Sequence, residues 1–536
     1  MISAVAWIRK GVAAEKPTKY EMTEEEFARL QAVADAEIGS AKRELKKKSK
    51  LDASILNDPA LKDFNLEDYS SASEAGDSDG DSDDEEGERA GAGDVNVFSN
   101  IKGLSYYADG SEDPYLQQDD GSDEEAEEMR IFNSDNLLLV AKTEDDISSL
   151  EVCVFESEGD NLFVHHDFML PAFPLCVEWM DFRVGRKAAA SSSDNAGSAG
   201  NYVAVGTFEP RIEIWDLDTT DNAYPDLVLG SSDRKQLRRL RGKPHAEFHT
   251  DAIMGLSWNR LARNLLASSS ADTTVKLWDL AAATCVQSYD HHKGKVQAVQ
   301  WHPSEASVML TGAYDRRVAA FDSRAPAAVS WWQTDADVES IMWDVHSPSH
   351  FYVATESGAV RYYDVRNVQG GKGADPVYTL VAHAEAVSAM DQHPGVRGLL
   401  VTGSADETVK VWDVRDGRPS MVVSRNPDVG GVFAARFCPD EPMLLAVAGS
   451  GGETRIWDMA TNPHVRSVFG GAAAAAAAAV QEKPLVGVVD EAEADADDTR
   501  EAVLAEMHGG DAAEAAGQGS SDDDDEDDED AAMESD

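Results

Sequence analysis

Only four cysteines occur in the 536 residues, and Cys153, Cys176, Cys285 and Cys438 lie far apart with no paired spacing. That argues against a disulfide framework or a cysteine-ligated zinc site, and it fits a reducing compartment. No apolar run approaches the roughly 20 residues a membrane-spanning helix requires. The apolar start, MISAVAWI, is too short and wrongly flanked for a secretory signal. Positive charge is scarce, with 47 Lys and Arg against 100 Asp and Glu. A Gly-rich phosphate loop, a metal-spaced histidine cluster and an isolated nucleophile–base set are all missing from the sequence. No enzyme, cofactor, metal or small-molecule substrate is therefore expected.

The acid is unevenly spread. Residues 129–470 hold 45 acidic and 31 basic residues, a net charge of −14 out of −53, so the two flanks carry the remaining −39. Like-charged runs with few aromatics cannot bury enough apolar area to offset chain entropy, which predicts disorder over most of both flanks.

What the middle does contain is a repeat. NLLASSSADTTVKLWDL (Asn264–Leu280) reads as two antiparallel strands around a tight turn at Ala271–Asp272–Thr273. The pattern returns with closing residues Trp215, Trp278, Phe321, Tyr363, Trp412 and Trp457, at gaps of 63, 43, 42, 49 and 45. A second ladder, Trp179, Trp258, Trp301, Trp343, Gln392 and Phe437, precedes the first by 20 residues in five of the six units. In the remaining unit a loop insertion, Lys187–Gly200, accounts for the excess. A seventh unit lies upstream at Asp135–Ser157 with Phe155 in the aromatic position; its inner strand is expected near Arg130–Asn133. A four-stranded sheet cannot bury both faces alone, whereas seven arranged radially can. The expected fold is all-β: a seven-bladed propeller over 129–470, with an extension at 1–128 and an acidic tail at 471–536.

The units also share polar positions. His249, His292 and His383 each stand nine residues before the inner ladder. Ser268 with Asp272, Thr311 with Asp315, and Thr402 with Asp406 fall at the second strand and its turn. An imidazole between a carboxylate and a hydroxyl, with the indole of Trp278 or Trp412 closing the set, satisfies every polar group and fixes blade geometry. The middle unit has Phe321 and lacks the indole donor. A set that recurs in several blades at constant spacing is bracing; a nucleophile needs one exposed site.

These residues resemble the WD-repeat family. The wider chain, from Met1 to Phe469, resembles the periodic tryptophan protein 1 family. The likeness rests on AVAWIRKGVA, DPYL, FVHHDFMLPAFPLCVEWMDF, GNYVAVGTFEPRIEIWDLD, LSWNRLARNLLASSSADTTVKLWD and AHAEAVSAMDQHP. That resemblance implies a nucleolar, nuclear protein of ribosomal RNA maturation and large-subunit assembly. It also implies a link to chromatin-based control of ribosomal RNA transcription. The partners it implies are assembly factors and pre-ribosomal particles.

Candidate contact residues follow from charge. Arg234, Lys235, Arg238, Arg239 and Arg241, in a long connection, are a candidate contact to ribosomal RNA phosphates. Tyr314, Asp337, Glu339, Glu356 and Glu385 place acid near an aromatic ring, which suits a Lys-rich histone tail or basic ribosomal protein. Ser78, Ser82 and Ser122 sit among downstream acids, a context for phosphorylation. Thr23 and Glu26 open a short amphipathic helix (Phe27, Leu30, Ala34, Ile38) leading into KRELKKKSK (Lys42–Lys50), an import-signal candidate. Val95–Tyr107 and Met1–Ala14 are apolar segments expected to dock on a partner or on the propeller. The tail ending SSDDDDEDDEDAAMESD is expected to attract basic partners or fold back on the basic connection.

Overall fold

The computed structural model describes residues 1–20, 130–157, 159–184, 199–231, 234–240, 243–369, 371–415, 417–470 and 483–488. The expected amphipathic helix, the Lys42–Lys50 cluster, Ser78, Ser82, Ser122, the Val95–Tyr107 segment and the acidic tail lie outside these residues.

Seven antiparallel sheets form a β-propeller. Blade 2 is Pro174–Phe182, Ala199–Thr207, Ile212–Asp216 and Leu227–Leu229, from inner to outer strand. Blade 3 is Ile253–Trp258, Leu265–Ser270, Val275–Asp279 and Thr284–Tyr289, and blade 4 is Val296–Trp301, Val308–Ala313, Arg317–Asp322 and Val329–Gln333. Blade 5 comprises Val338–Trp343, His350–Thr355, Ala359–Asp364 and Tyr378–Val381. Blade 6 comprises Val387–Gln392, Leu399–Ser404, Val409–Asp413 and Ser420–Arg425. Blade 7 ends the series with Val432–Phe437, Leu444–Gly449, Thr454–Asp458 and the short Val486–Gly487. Second strands such as Leu399–Ser404 and Leu444–Gly449 are buried at every residue. Both of their faces meet neighbouring sheets, which is why they read as unbroken small and apolar runs. The face where the inner strands begin is here termed the upper face; it also carries the turns between second and third strands.

Blade 1 corrects the sequence reading. Its outer three strands are Asn136–Glu144, Ile147–Glu156 and Asn161–Leu170, but its inner strand is Ile2–Ile8, not Arg130–Asn133. The register pairs Val5 with Val140, Trp7 with Leu138 and Ile8 with Leu137. Alternation decides the fit. Ile2, Val5 and Trp7 pack with Ala434, Leu444 and Ile456 of blade 7, while Ala4, Ala6 and Ile8 face Val203, Val205 and Trp215 of blade 2. The ring is therefore closed by the first strand of the chain, and its described limits are residues 2 and 488 rather than 129 and 470. Arg130–Asn133 forms no strand; Ile131 instead buries its side chain in the cluster between blades 1 and 2.

The segment after Ile8 is tied across the lower face on both sides. Lys10 N–H donates to Asp440 at 2.8 Å and its ammonium to Glu441 at 2.8 Å. Ala14 N–H donates to Asp218 at 2.9 Å, and Thr18–Lys19 pairs in parallel with Thr219–Thr220. Neighbouring inner strands are latched in turn. The amides of Trp258, Trp301, Trp343 and Phe437 donate to Glu178, Ser257, Gln300 and Asp391 of the preceding blade, at 3.2, 3.2, 2.7 and 2.8 Å.

Candidate binding surfaces

The Ser/Thr–His–Asp sets lie inside the blades. In blade 3, His249 Nδ1 stands 3.0 Å from Asp272 and Nε2 2.7 Å from Ser268 Oγ, while Trp278 Nε1–H donates to Ser268 Oγ at 2.8 Å. Burial lowers the His249 imidazole below its ordinary value, so it is neutral near pH 7. Burial pushes the Asp272 carboxyl up, but hydrogen bonds from His249, Thr274 and the Thr250 amide outweigh it and hold the group ionised. The neutral tautomer follows: Nδ1–H donates to Asp272, and Nε2 accepts from the Ser268 hydroxyl. These distances would suit a catalytic triad, yet Ser268, His249 and Asp272 are at most 2% exposed. No substrate atom can reach that hydroxyl.

Blade 6 repeats the arrangement with His383, Asp406, Thr402 and Trp412, at 3.0 Å (His–Asp), 2.8 Å (His–Thr) and 2.9 Å (Trp–Thr). Blade 4 has His292 between Asp315 (3.2 Å) and Thr311 (2.9 Å), with no indole because Phe321 occupies that position. All eleven residues singled out for the network are thus brought together in three blades.

The five basic residues fall in a stretch that is partly helical, a correction to its reading as a connecting loop. Arg234–Leu240 is a seven-residue α-helix, and Leu237 and Leu240, three apart on one face, pack on the core cluster between blades 2 and 3. Arg234, Lys235 and Arg238 lie on this helix, Arg239 is exposed, and Arg241 is outside the described residues. The chain beyond is anchored as well: the carbonyls of His245 and Ala246 accept from the buried Lys276 ammonium.

The acidic set gathers on the upper face of blades 4 and 5. A bulge at the start of the blade 5 inner strand falls between Val338 and Ser340, at Glu339. Tyr314 Oη–H donates to Glu339 at 3.4 Å, and Asp337 pairs with Arg316 Nε at 3.1 Å. Burial raises the Glu339 carboxyl, and the neighbouring charges of Glu356 and Asp337 add to it. Tyr314 is pushed up by burial and by the same carboxylates. Glu385 belongs to the next blade, its backbone resting on the turn that carries Glu356. A Cβ on Gly358 (φ +79°) would come 2.3 Å from the His383 carbonyl and 2.9 Å from that of Glu385, so only glycine fits the turn.

Comparison with known proteins bears on both the repeat and the whole chain. The WD domain, G-beta repeat, matches residues 242–279, 283–322 and 374–413. An uncharacterized WD repeat-containing protein of Schizosaccharomyces pombe is 39% identical over 494 residues, covering 88% of this chain and 91% of that protein. Periodic tryptophan protein 1 of Saccharomyces cerevisiae is 35% identical over 540 residues, covering 88% and 90%. Its Drosophila melanogaster homolog is 32% identical over 477 residues, covering 88% and 96%. The chain belongs to the periodic tryptophan protein 1 family.

Two surface features of this periodic tryptophan protein 1 family member were not anticipated from sequence. On the upper face, Phe173 and Phe208 pack with ring centroids 5.3 Å apart, and Phe208 is 60% exposed. Phe173 also lines a shallow pocket of about 130 Å³ with Asp146, Leu170 and Pro171.

On the lower face, three adjacent blades end their third strands in an arginine clamp. Arg324 Nε and Nη2 donate to Asp322 at 3.1 and 2.7 Å, and Arg366 does so to Asp364 at 2.9 and 2.9 Å. Arg415 Nε donates to Asp413 at 2.8 Å and its Nη2 joins the same carboxylate. The signal was visible as Asp at one residue, and Arg at three residues, after the closing aromatic: FDSR, YDVR and WDVR. It was overlooked because the aspartate alone recurs as a turn cap. Asp279 and Asp458 accept from Ala281 and Ala460 amides at 2.9 and 3.0 Å, with no arginine following.

Proposed function

We propose that the chain is a non-enzymatic WD-repeat scaffold of ribosome biogenesis, acting in nucleolar ribosomal RNA processing and large-subunit assembly. The observation that carries this reading is the burial of the hydroxyl and the imidazole in every Ser/Thr–His–Asp set, which leaves docking to the rims. Family membership over nearly the whole chain supports it. The helix bearing Arg234, Lys235, Arg238 and Arg239 supplies electrostatic contact to RNA phosphates, without base readout. Assembly factors and pre-ribosomal particles are the partners.

Sedimentation of the tagged protein tests this. Co-migration with large-subunit precursors, abolished by RNase, is the expected result; a protein that stays at the top of the gradient would contradict it. Charge reversal at Arg234, Lys235, Arg238, Arg239 and Arg241 is expected to weaken RNA retention, and unchanged retention would remove that helix from the proposal.

A second reading, a chromatin-associated reader of basic histone tails controlling ribosomal RNA transcription, is favoured by Tyr314 and Glu339 at the upper face. Retention on nucleosomes after RNase, reduced by Glu339→Gln, would support it over the first.

A further inference from the structure

Against a chain of net charge −53, the lower face of blades 4 to 6 gathers cationic side chains. Arg324, Arg366 and Arg415 stand at one register in adjacent blades, with side chains 77%, 67% and 41% exposed. Arg397 and Arg418 are exposed on the neighbouring turns of blade 6. The clamp geometry sets what these guanidiniums present. Each aspartate is bound side-on, through Nε and Nη2, so for Arg324 and Arg366 the clamp leaves the end-on edge, Nη1 with the outer Nη2 proton, directed away from the carboxylate. A planar fork held by its own turn loses little further freedom on meeting a second oxyanion. The aspartate needs no arginine for its turn: it caps the same amide in blades 3 and 7 without one. Arginine in blades 4 and 5 is thus additional to the fold, whereas Arg415 also meets the Val468 carbonyl and the Phe469 ring; an extended acidic group can touch the two open forks in a row.

The chain carries such a group. Every residue from Asp522 to Asp530 is Asp or Glu. The described chain ends at Val488, which follows the outer strand of blade 7, Val486–Gly487, and bridges to Leu162 of blade 1. From Val488 to Asp522 is 34 residues, for which a coil spans about 30 Å root-mean-square. A tethered segment of that length is presented at an effective concentration on the order of millimolar, which makes a contact of modest intrinsic affinity persist.

We propose that the carboxylate run Asp522–Asp530 docks on the arginine forks of blades 4 and 5, Arg324 and Arg366, on the lower face of the propeller. An external acidic segment then reaches this face only by displacing the tail. The contact is electrostatic and weakens with salt.

The test uses the full-length chain and a fluorescent peptide of residues 517–536, read by anisotropy at low salt. In the chain whose residues 522–530 are changed to Asn and Gln, the forks are vacated and the peptide is expected to bind. Binding should be at least tenfold weaker to the unaltered chain, whose own tail competes. It should be at least tenfold weaker again when Arg324→Gln and Arg366→Gln are added to the tail-neutralised chain. Unaltered thermal unfolding of that variant keeps the comparison sound, and Arg324→Lys with Arg366→Lys, which retain charge but lose the fork, should fall between. Three results would overturn the proposal: no binding to the tail-neutralised chain, equal binding to the unaltered chain, or binding indifferent to the two arginines. A single-stranded RNA oligonucleotide that binds these arginines more tightly than the peptide would assign the face to nucleic acid and overturn it too.

Discussion

Trp7 donates its indole N–H to the Arg436 carbonyl at 2.9 Å, bonding the first blade to the last. Trp301 makes the same bond to the Ser257 carbonyl, at 3.1 Å, between blades 3 and 4. The seam that closes the ring is therefore built like an ordinary junction between consecutive blades. Trp7 is 7% exposed. Trp7→Ala is expected to cost about 3–5 kcal/mol, the range for emptying a buried aromatic site, seen as a lower urea midpoint. An unchanged midpoint would place the N-terminal strand outside the ring.

Blades 4 and 6 differ in one hydrogen-bond donor, and stability should register it. Thr402 Oγ1 meets both His383 Nε2 (2.8 Å) and Trp412 Nε1 (2.9 Å). Thr311 Oγ1 meets His292 Nε2 (2.9 Å) and no indole. Thr402→Val leaves one more buried polar group unsatisfied than Thr311→Val does, so it should be the more destabilising by about 1–3 kcal/mol. Equal losses in parallel urea titrations would show that the indole bond contributes nothing.

The buried histidines fix the sign of the pH dependence. His249 and His383 are lowered from 6.5 chiefly by burial. Below pH 6.5 the unfolded chain takes up protons there that the folded chain refuses, so stability falls as pH drops from about 7 toward 5. Asp272 and Asp406 are held below 3.8 by their hydrogen bonds, burial notwithstanding. Their share is present above that value and is lost as pH falls below it. Urea midpoints at pH 7, 6 and 5 check this. Replacing both histidines by Asn should flatten the slope between pH 7 and 5, and a slope that persists would assign it to other groups.

Much of the fold was legible because a propeller writes its period into the chain. The two strands read from alternation within Asn264–Leu280 are observed as Leu265–Ser270 and Val275–Asp279. The Ser/Thr–His–Asp partners were legible for the same reason, since constant spacing means constant geometry. What was missed is non-local. The inner strand of blade 1 pairs residues 2–8 with residues 137–142, and a reading by adjacent windows looks for it beside Asp135. One clue was present. Trp7 stands five residues after Ile2, as Trp343 does after Val338 and Trp301 after Val296, so it is the seventh rung of the inner ladder. The basic helix was missed because seven residues with two apolar side chains, Leu237 and Leu240, on a core carry too little periodicity to separate helix from loop. The arginine clamps were missed because Asp-x-Arg reads as the end of a repeat, and its exposure is a property of the ring.

Hydrogen exchange across the ring tests the central claim most directly. With residues 2–8 as the inner strand of blade 1, between Ala434 of blade 7 and Val203 of blade 2, a peptic peptide covering them should exchange as slowly as one from Val432–Phe437, the inner strand of blade 7. Protection should disappear from both together when the ring opens in mild denaturant. Full exchange of residues 2–8 within seconds in native buffer, with blade 7 still protected, would contradict a ring closed by the N-terminal strand.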